Sequence, residues 1–223
     1  MARRFLGRNA LLAIAGVALV GAAIGAAWQS VDNRRAASAH LQRDIRTVAA
    51  DVVRRIAAFE TGLRGTRGAL IAATPRGITR DRFRNYARSR DFDREFPGSR
   101  GFGYIRRVPD GAEAAFTASA RRDGARDFRI RELAPHDGEH FVIQYIEPQA
   151  PNAQAVGLDV ASEPRRRTAA LDALRSGEPR LTGPITLMQA SGQAGRGLLF
   201  LLPVYEGADA PATLQARLRR TVG

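Results

Sequence analysis

Apolar positions follow three successive rhythms along the chain. Residues 10–28 (ALLAIAGVALVGAAIGAAW) form a run of 19 without a charge, close to the ~20 that carry a helix across a bilayer core. From Leu41 the apolar residues return at Ile45, Val48, Val52, Ile56, Phe59 and Leu63, in steps of 4, 3, 4, 4, 3 and 4. That spacing draws one stripe along a helix whose other sides carry Arg and Asp. Its mean step, about 3.67, lies nearer an eleven-residue repeat than a heptad. The first proline after the apolar run is Pro75, so the pattern predicts one long helix over 30–73, loosened at its far end by Gly62, Gly65 and Gly68. Its stripe either pairs with a second copy or packs on its own domain.

Past Pro75 and Gly77 the rhythm shortens. Asp81–Arg90 reads as a short helix with Phe83 and Tyr86 inward, and Pro97-Gly98 as a turn. Five strands are predicted, at Gly101–Val108, Asp127–Leu133, Phe141–Ile146, Arg180–Met188 and Gly197–Tyr205. Helices are expected over Gly111–Arg122 and Glu163–Ser176. The second has Ser162 as N-cap, Pro164 in its first turn and Gly177 at its close. Turns at His136–Glu139 and Ser191–Arg196 favour antiparallel hairpins. The fold class is α+β: an N-terminal transmembrane helix, a long stalk helix, then a PAS-like mixed or antiparallel sheet flanked by helices.

Arg3, Arg4 and Arg8 precede the apolar run and are expected to stay cytoplasmic, with Trp28 at the far interface. The run is longer than the about 7–15 apolar residues of a signal peptide, which favours an uncleaved anchor over a cleaved leader. Gly21 and Gly25 form a GxxxG spacing that supports close helix pairing. The organisation expected is therefore a cytoplasmic N-terminus (1–9), a transmembrane helix (10–28), a stalk (30–73), a sensory domain (80–208) and a truncated tail (209–223).

Composition removes much chemistry. The 223 residues include no cysteine, and all 35 basic residues are Arg. Disulfides, thiolate nucleophiles, Cys-ligated metals, Schiff-base enzymes and the lysine-dependent phosphate loop are excluded. The net charge of +13 suggests a polyanion partner. Yet residues 1–100 hold 19 Arg against 8 acids, and 101–223 hold 16 against 14. The globular part is almost neutral, and no nucleic-acid partner is expected.

His136-Asp137-Gly138-Glu139-His140 spaces two histidines four apart, which on a helix would aim both at one ion. Pro135 and Gly138 make it a turn, and no distant third ligand stands out in sequence, so no metal is assigned. Gly192–Gly197 precedes a strand, whereas phosphate cradles precede helices; it reads as a hairpin loop. Arg165–Arg167 reads as a solvated face. No catalytic residues and no cofactor are assigned. Phe102 and Tyr104 alternate on one predicted strand, and Phe141, Ile143 and Tyr145 on another; either set would line a pocket or build the core.

Several motifs occur in a fixed order. Pro97-Gly98 leads to Gly101-Phe-Gly-Tyr-Ile105. Then come Tyr145-Ile-Glu-Pro148, Asn152, Gly157-Leu-Asp159, Ser162-Glu-Pro-Arg-Arg166, Leu181-Thr-Gly-Pro-Ile185 and Leu202-Pro-Val-Tyr205. Over about residues 80–208 this succession resembles the CHASE domain, an extracytoplasmic sensory module of histidine kinases, diguanylate cyclases and cytokinin receptors. The resemblance implies a periplasm-facing ligand sensor on the cytoplasmic membrane, a homodimer binding an unknown small-molecule ligand. It also implies a second PAS-like half, a second membrane helix and an output module beyond Gly223. Implied ligand contacts are Phe102, Tyr104, Phe141, Ile143 and Tyr145, the acids Asp137 and Glu139, and the segment at Thr182 and Gly183. The alternative is an envelope structural or dimerisation domain, or a soluble periplasmic binding protein without signalling output.

Overall fold

The computed structural model describes residues 2–73, 78–187, 195–207 and 209–223; the side chains of 2–13, 15 and 27 fall outside it. The chain divides into two units, residues 1–54 and 55–223. One helix, α1, is assigned over Ala2–Ala72.

In the first unit the predicted stripe is solvent-facing, with Leu41, Ile45, Val48 and Val52 each more than half exposed. Among the described residues, no helix is long and apolar enough to cross a membrane. The 10–28 run expected to do so rests partly on side chains outside the described residues.

In the second unit α1 continues to Ala72 without loosening at its glycines. Gly62 is there for space: a Cβ at that position would lie 2.0 Å from the Phe96 ring, which also packs on Phe59 with centroids 5.9 Å apart. The boundary signals at Pro75 and Gly77 lie outside the described residues. Helix α2 (Arg80–Arg88) is capped by Thr79, whose side chain accepts from the Arg82 N–H, and buries Phe83 as predicted. A single turn, α3 (Phe92–Glu95), follows.

Strand β1 (Phe102–Val108) pairs antiparallel with β2 (His140–Glu147). The segment Asp127–Leu133, predicted to be β2's hairpin partner, is not a strand. Its Arg131 makes one parallel bridge to Leu158, with N–H to the Gly157 carbonyl at 2.8 Å and carbonyl to the Asp159 N–H at 2.8 Å. Burial of Phe128 and the Arg121 bond to its carbonyl (3.0 Å) fix this segment locally instead. Helix α4 (Glu113–Arg122) and this segment thus form a long connection between paired strands.

Beyond a short turn, α5 (Gln149–Asn152), comes α6 (Pro164–Ser176). Its N-cap is Glu163, which accepts from the Arg165 and Arg166 N–H groups; it closes at Gly177 with φ +80°. Ser162, the predicted cap, instead donates to the Asp159 carbonyl (2.6 Å) and accepts from the Leu133 N–H (2.9 Å).

The predicted strand Arg180–Met188 breaks at Gly183-Pro184, because proline lacks the N–H that a ladder needs. It yields β3 (Arg180–Leu181) and β4 (Ile185–Leu187). β4 pairs with β5 (Gly195–Gly197), and β3 with β6 (Phe200–Leu201). Met188 and most of the expected turn and Gly-rich loop over 191–197 lie outside the described residues.

Among the described residues the one sheet expected is therefore three two-stranded antiparallel sheets. Residues 209–223, expected as a tail, include α7 (Leu214–Arg220) and a return along the core. Val222 N–H donates to the Val204 carbonyl (2.8 Å), and Arg107 N–H to that of Val222 (3.1 Å).

Candidate ligand site

A β-bulge between Tyr104 and Ile105 decides which predicted residues meet. Tyr104 pairs with Tyr145 and Ile105 with Ile143, so Gln144 is left over. Such an extra residue bends the strand and re-aims its side chains. Phe141, Ile143 and Tyr145 therefore do not share one face. Tyr145 joins Tyr104 and Phe83 in an aromatic cluster bordered by Phe102, while Phe141 and Ile143 pack with Leu158, Val160 and Leu174.

The aromatic cluster is anchored by a polar network absent from the sequence expectations. The Tyr145 hydroxyl donates to Asp123 Oδ2 (2.6 Å), and Arg80 N–H donates to the same oxygen (3.0 Å). The Arg80 guanidinium lies 5.2 Å over the Tyr145 ring and reaches the carbonyl of bulged Gln144 (3.2 Å). Burial first, then the Asp123 carboxylate, pushes the Tyr145 hydroxyl well above the ordinary tyrosine range. It stays protonated, as a donor.

Between the two clusters lies a mostly apolar cavity of about 80 Å³. Leu63 and Leu70 of α1, Tyr104 of β1, Phe141 of β2, Leu174 of α6 and Val204 line it. Space remains because Gly103, Ala170 and Ala173 also face it and offer little side chain. Tyr104 and Phe141 are the only two of the nine predicted contacts on its wall.

The other predicted contacts stand elsewhere. Glu139 is ion-paired with Arg107 and, with Phe141, lines a shallow groove beside Asp110 and Arg167. Asp137 is an exposed turn residue whose carbonyl accepts from Arg167 (2.7 Å). Thr182 is buried and pairs with Leu199: its N–H donates to the Leu199 carbonyl and its hydroxyl accepts the Leu199 N–H, both at 2.9 Å. Gly183 is exposed at the strand break.

A second polar centre forms around 136–140, where the sequence predicts only a turn. Asp159 is fully buried (0% exposed). Its Oδ1 accepts the Phe141 N–H (2.8 Å) and the Ala161 N–H (2.9 Å). Its Oδ2 lies 2.7 Å from both His136 Nε2 and His140 Nδ1. Burial pushes the Asp159 carboxyl up, but bonds from His136, Phe141, His140 and Ala161 outweigh it and hold the group below its ordinary range. Burial likewise pulls His136 down, and is outweighed by Asp159 and the Asp137 carbonyl, which raise it. Glu132 stands 3.5 Å from His140 Nδ1. The signal that could have found Asp159 was its place in the Gly157-Leu-Asp motif, as the N-cap of the helical turn Val160–Ser162.

No curated protein matches the chain. Among protein-family models, that of the CHASE domain matches residues 76–223, two-thirds of the sequence, including α2 through α7 and both centres described above. The chain belongs to the CHASE domain family of extracytoplasmic, non-catalytic sensory domains.

Proposed function

We propose that this chain is the sensory part of a membrane-anchored receptor, and that it binds a small, mainly apolar molecule in the cavity between β1, α6 and the end of α1. The observation that carries this reading is the cavity wall: Leu63, Thr66 and Leu70 belong to α1, so an occupant touches the stalk helix directly. A ligand shifts a receptor only through contacts that differ between its two states, and a wall made partly of that helix supplies them. At about 80 Å³ the cavity falls short of the ~300–1,000 Å³ of drug-sized sites. Binding a larger molecule would therefore open it and displace α1 from Tyr104 or Val204.

The anchor is residues 10–28, supported by their uncharged run and the preceding arginines, with the 76–223 region in the periplasm. The exposed stripe of Leu41, Ile45, Val48 and Val52 supports homodimerisation. An alkaline phosphatase fusion at Gly223 should be active, and an inactive fusion would overturn the topology.

The binding claim is tested with a fragment set by thermal shift on the full chain and on Ala170→Leu, which fills the cavity from α6. A fragment at 100 times its Kd should stabilise the parent by about 2.7 kcal/mol, and the variant should lose that response. A fragment that stabilises both equally, or a set in which none stabilises the parent, would favour a dimerisation domain without a ligand.

A further inference from the structure

We propose that Glu132, His136, His140 and Asp159 bind one divalent first-row transition ion, with zinc as its reference, independently of any ligand in the apolar cavity. One ligand atom from each lies within 4.8 Å of all the others. Glu132, His136 and His140 are spaced four apart, as on a metal-binding helix, but no helix forms here. The turn carries His136 and strand β2 begins at His140, the Arg131–Leu158 bridge brings Glu132 alongside, and Asp159 caps the short helical turn Val160–Ser162.

The donor set and its backing are those of a metal centre. Asp159 has one oxygen fixed by two backbone N–H groups and the other aimed at both imidazoles. His136 is backed on its remaining nitrogen by the Asp137 carbonyl, 3.1 Å from Nδ1, and His140 Nε2 faces Glu113 Oε1 at 3.6 Å, within ion-pair reach but longer than a hydrogen bond. Metal-ligating histidines are oriented in this way by a carbonyl or carboxylate on the second ring nitrogen. Two imidazoles and two carboxylates suit zinc and its neighbours, whereas calcium and magnesium prefer oxygen alone.

Access is open. Glu113, Glu132 and His140 line a surface groove with Thr117, Arg121 and Ile130. The arginine lining that groove, Arg121, is turned to the Phe128 carbonyl, and Arg167, which faces His136, is held by the Asp137 carbonyl. The present 2.7 Å contacts are those of charge-assisted hydrogen bonds. An ion with tetrahedral bonds of about 2.0–2.1 Å sets its ligand atoms about 3.3 Å apart, so it would part the 2.7 Å pairs and draw in the atoms now up to 4.8 Å apart.

The test is titration of zinc, and of cobalt as its spectroscopic substitute, into untagged full chain stripped with chelator. The expected result is one equivalent per chain with the visible absorption of a four-coordinate cobalt site. Glu132→Gln, at an exposed position that leaves the fold intact, should weaken binding at least tenfold. Glu113→Gln should weaken it by about 10–100-fold through the second sphere. His136→Gln with His140→Gln should abolish it, while His40→Gln, at the remaining histidine, should leave it unchanged. Absence of stoichiometric binding, dependence on His40, or full affinity in both Glu132→Gln and Glu113→Gln would overturn the proposal.

Discussion

Replacing Asp159 by Asn tests whether this centre holds the fold together even without an ion. The substitution keeps shape and one carbonyl oxygen, so the Phe141 and Ala161 N–H groups at 2.8 and 2.9 Å retain an acceptor. The amide end cannot accept from His136 and His140, which now stand 2.7 Å from a carboxylate oxygen. Hydrogen bonds to charged groups are worth about 1.5–3 kcal/mol each. Re-orientation of the rings recovers part, leaving an expected loss of about 2–4 kcal/mol. For a chain of this size each kcal/mol moves Tm by about 2–4 °C, so D159N should melt roughly 5–15 °C lower. D159A also strands the two backbone N–H groups inside the protein, at about 1–3 kcal/mol each, and should fall further. Thermal unfolding by circular dichroism with chelator present gives the order, and amide exchange at Phe141 and Ala161 should stay slow in D159N and quicken in D159A. A D159N midpoint within about 2 °C of the parent, or equal midpoints for the two variants, would refute the assignment of these bonds.

Two further substitutions probe the fold around the sites. Phe83 is 1% exposed and meets Phe102 and Tyr145 at centroid distances of 5.3 and 5.4 Å; F83A should cost about 3–5 kcal/mol, read from the urea midpoint. Gly157 has φ +83° and would set a Cβ 2.2 Å from the Arg129 carbonyl, whereas Gly111 has φ +81° with open space around it. G111A should therefore cost about 1–2 kcal/mol for the left-handed backbone alone. G157A should cost clearly more, because it also breaks the Arg131–Leu158 bridge; equal losses would show that the close approach to Arg129 is not needed.

How far the fold was legible depended on how local each signal was. The helices from Asp81, Gly111 and Glu163 each had an apolar face or a cap within a few residues, and α2, α4 and α6 fall where those signals lie. Strand pairing was less legible. Asp127–Leu133 has the alternation of a strand, but Phe128 and Ile130 find their neighbours in Ala120 and Val142 without a ladder. The bulge at Gln144 was invisible as well. A bulge is set by what the next layer offers, here Arg80 reaching the Gln144 carbonyl, and that partner is distant in sequence.

The histidine turn was legible as residues and not as a site. A helical metal motif repeats its ligands every turn, so two histidines four apart declare themselves only if a helix follows; Gly138, with φ +89°, forbids one here. The remaining ligands come from chain segments on either side. Glu132 is four residues before His136, behind Pro135, and Asp159 is 19 residues past His140, across β2. Burial is what separates Asp159 from the chain's other carboxylates, and burial is a property of packing rather than of pattern. A carboxylate held at 0% exposure must be answered by donors. Those that answer, two backbone N–H groups and two imidazoles, converge where β2 is paired with β1 and Leu158 bridges to Arg131. The ligand set is thus a consequence of contacts between segments separated by β2 and its flanking turns, which a local sequence pattern does not encode.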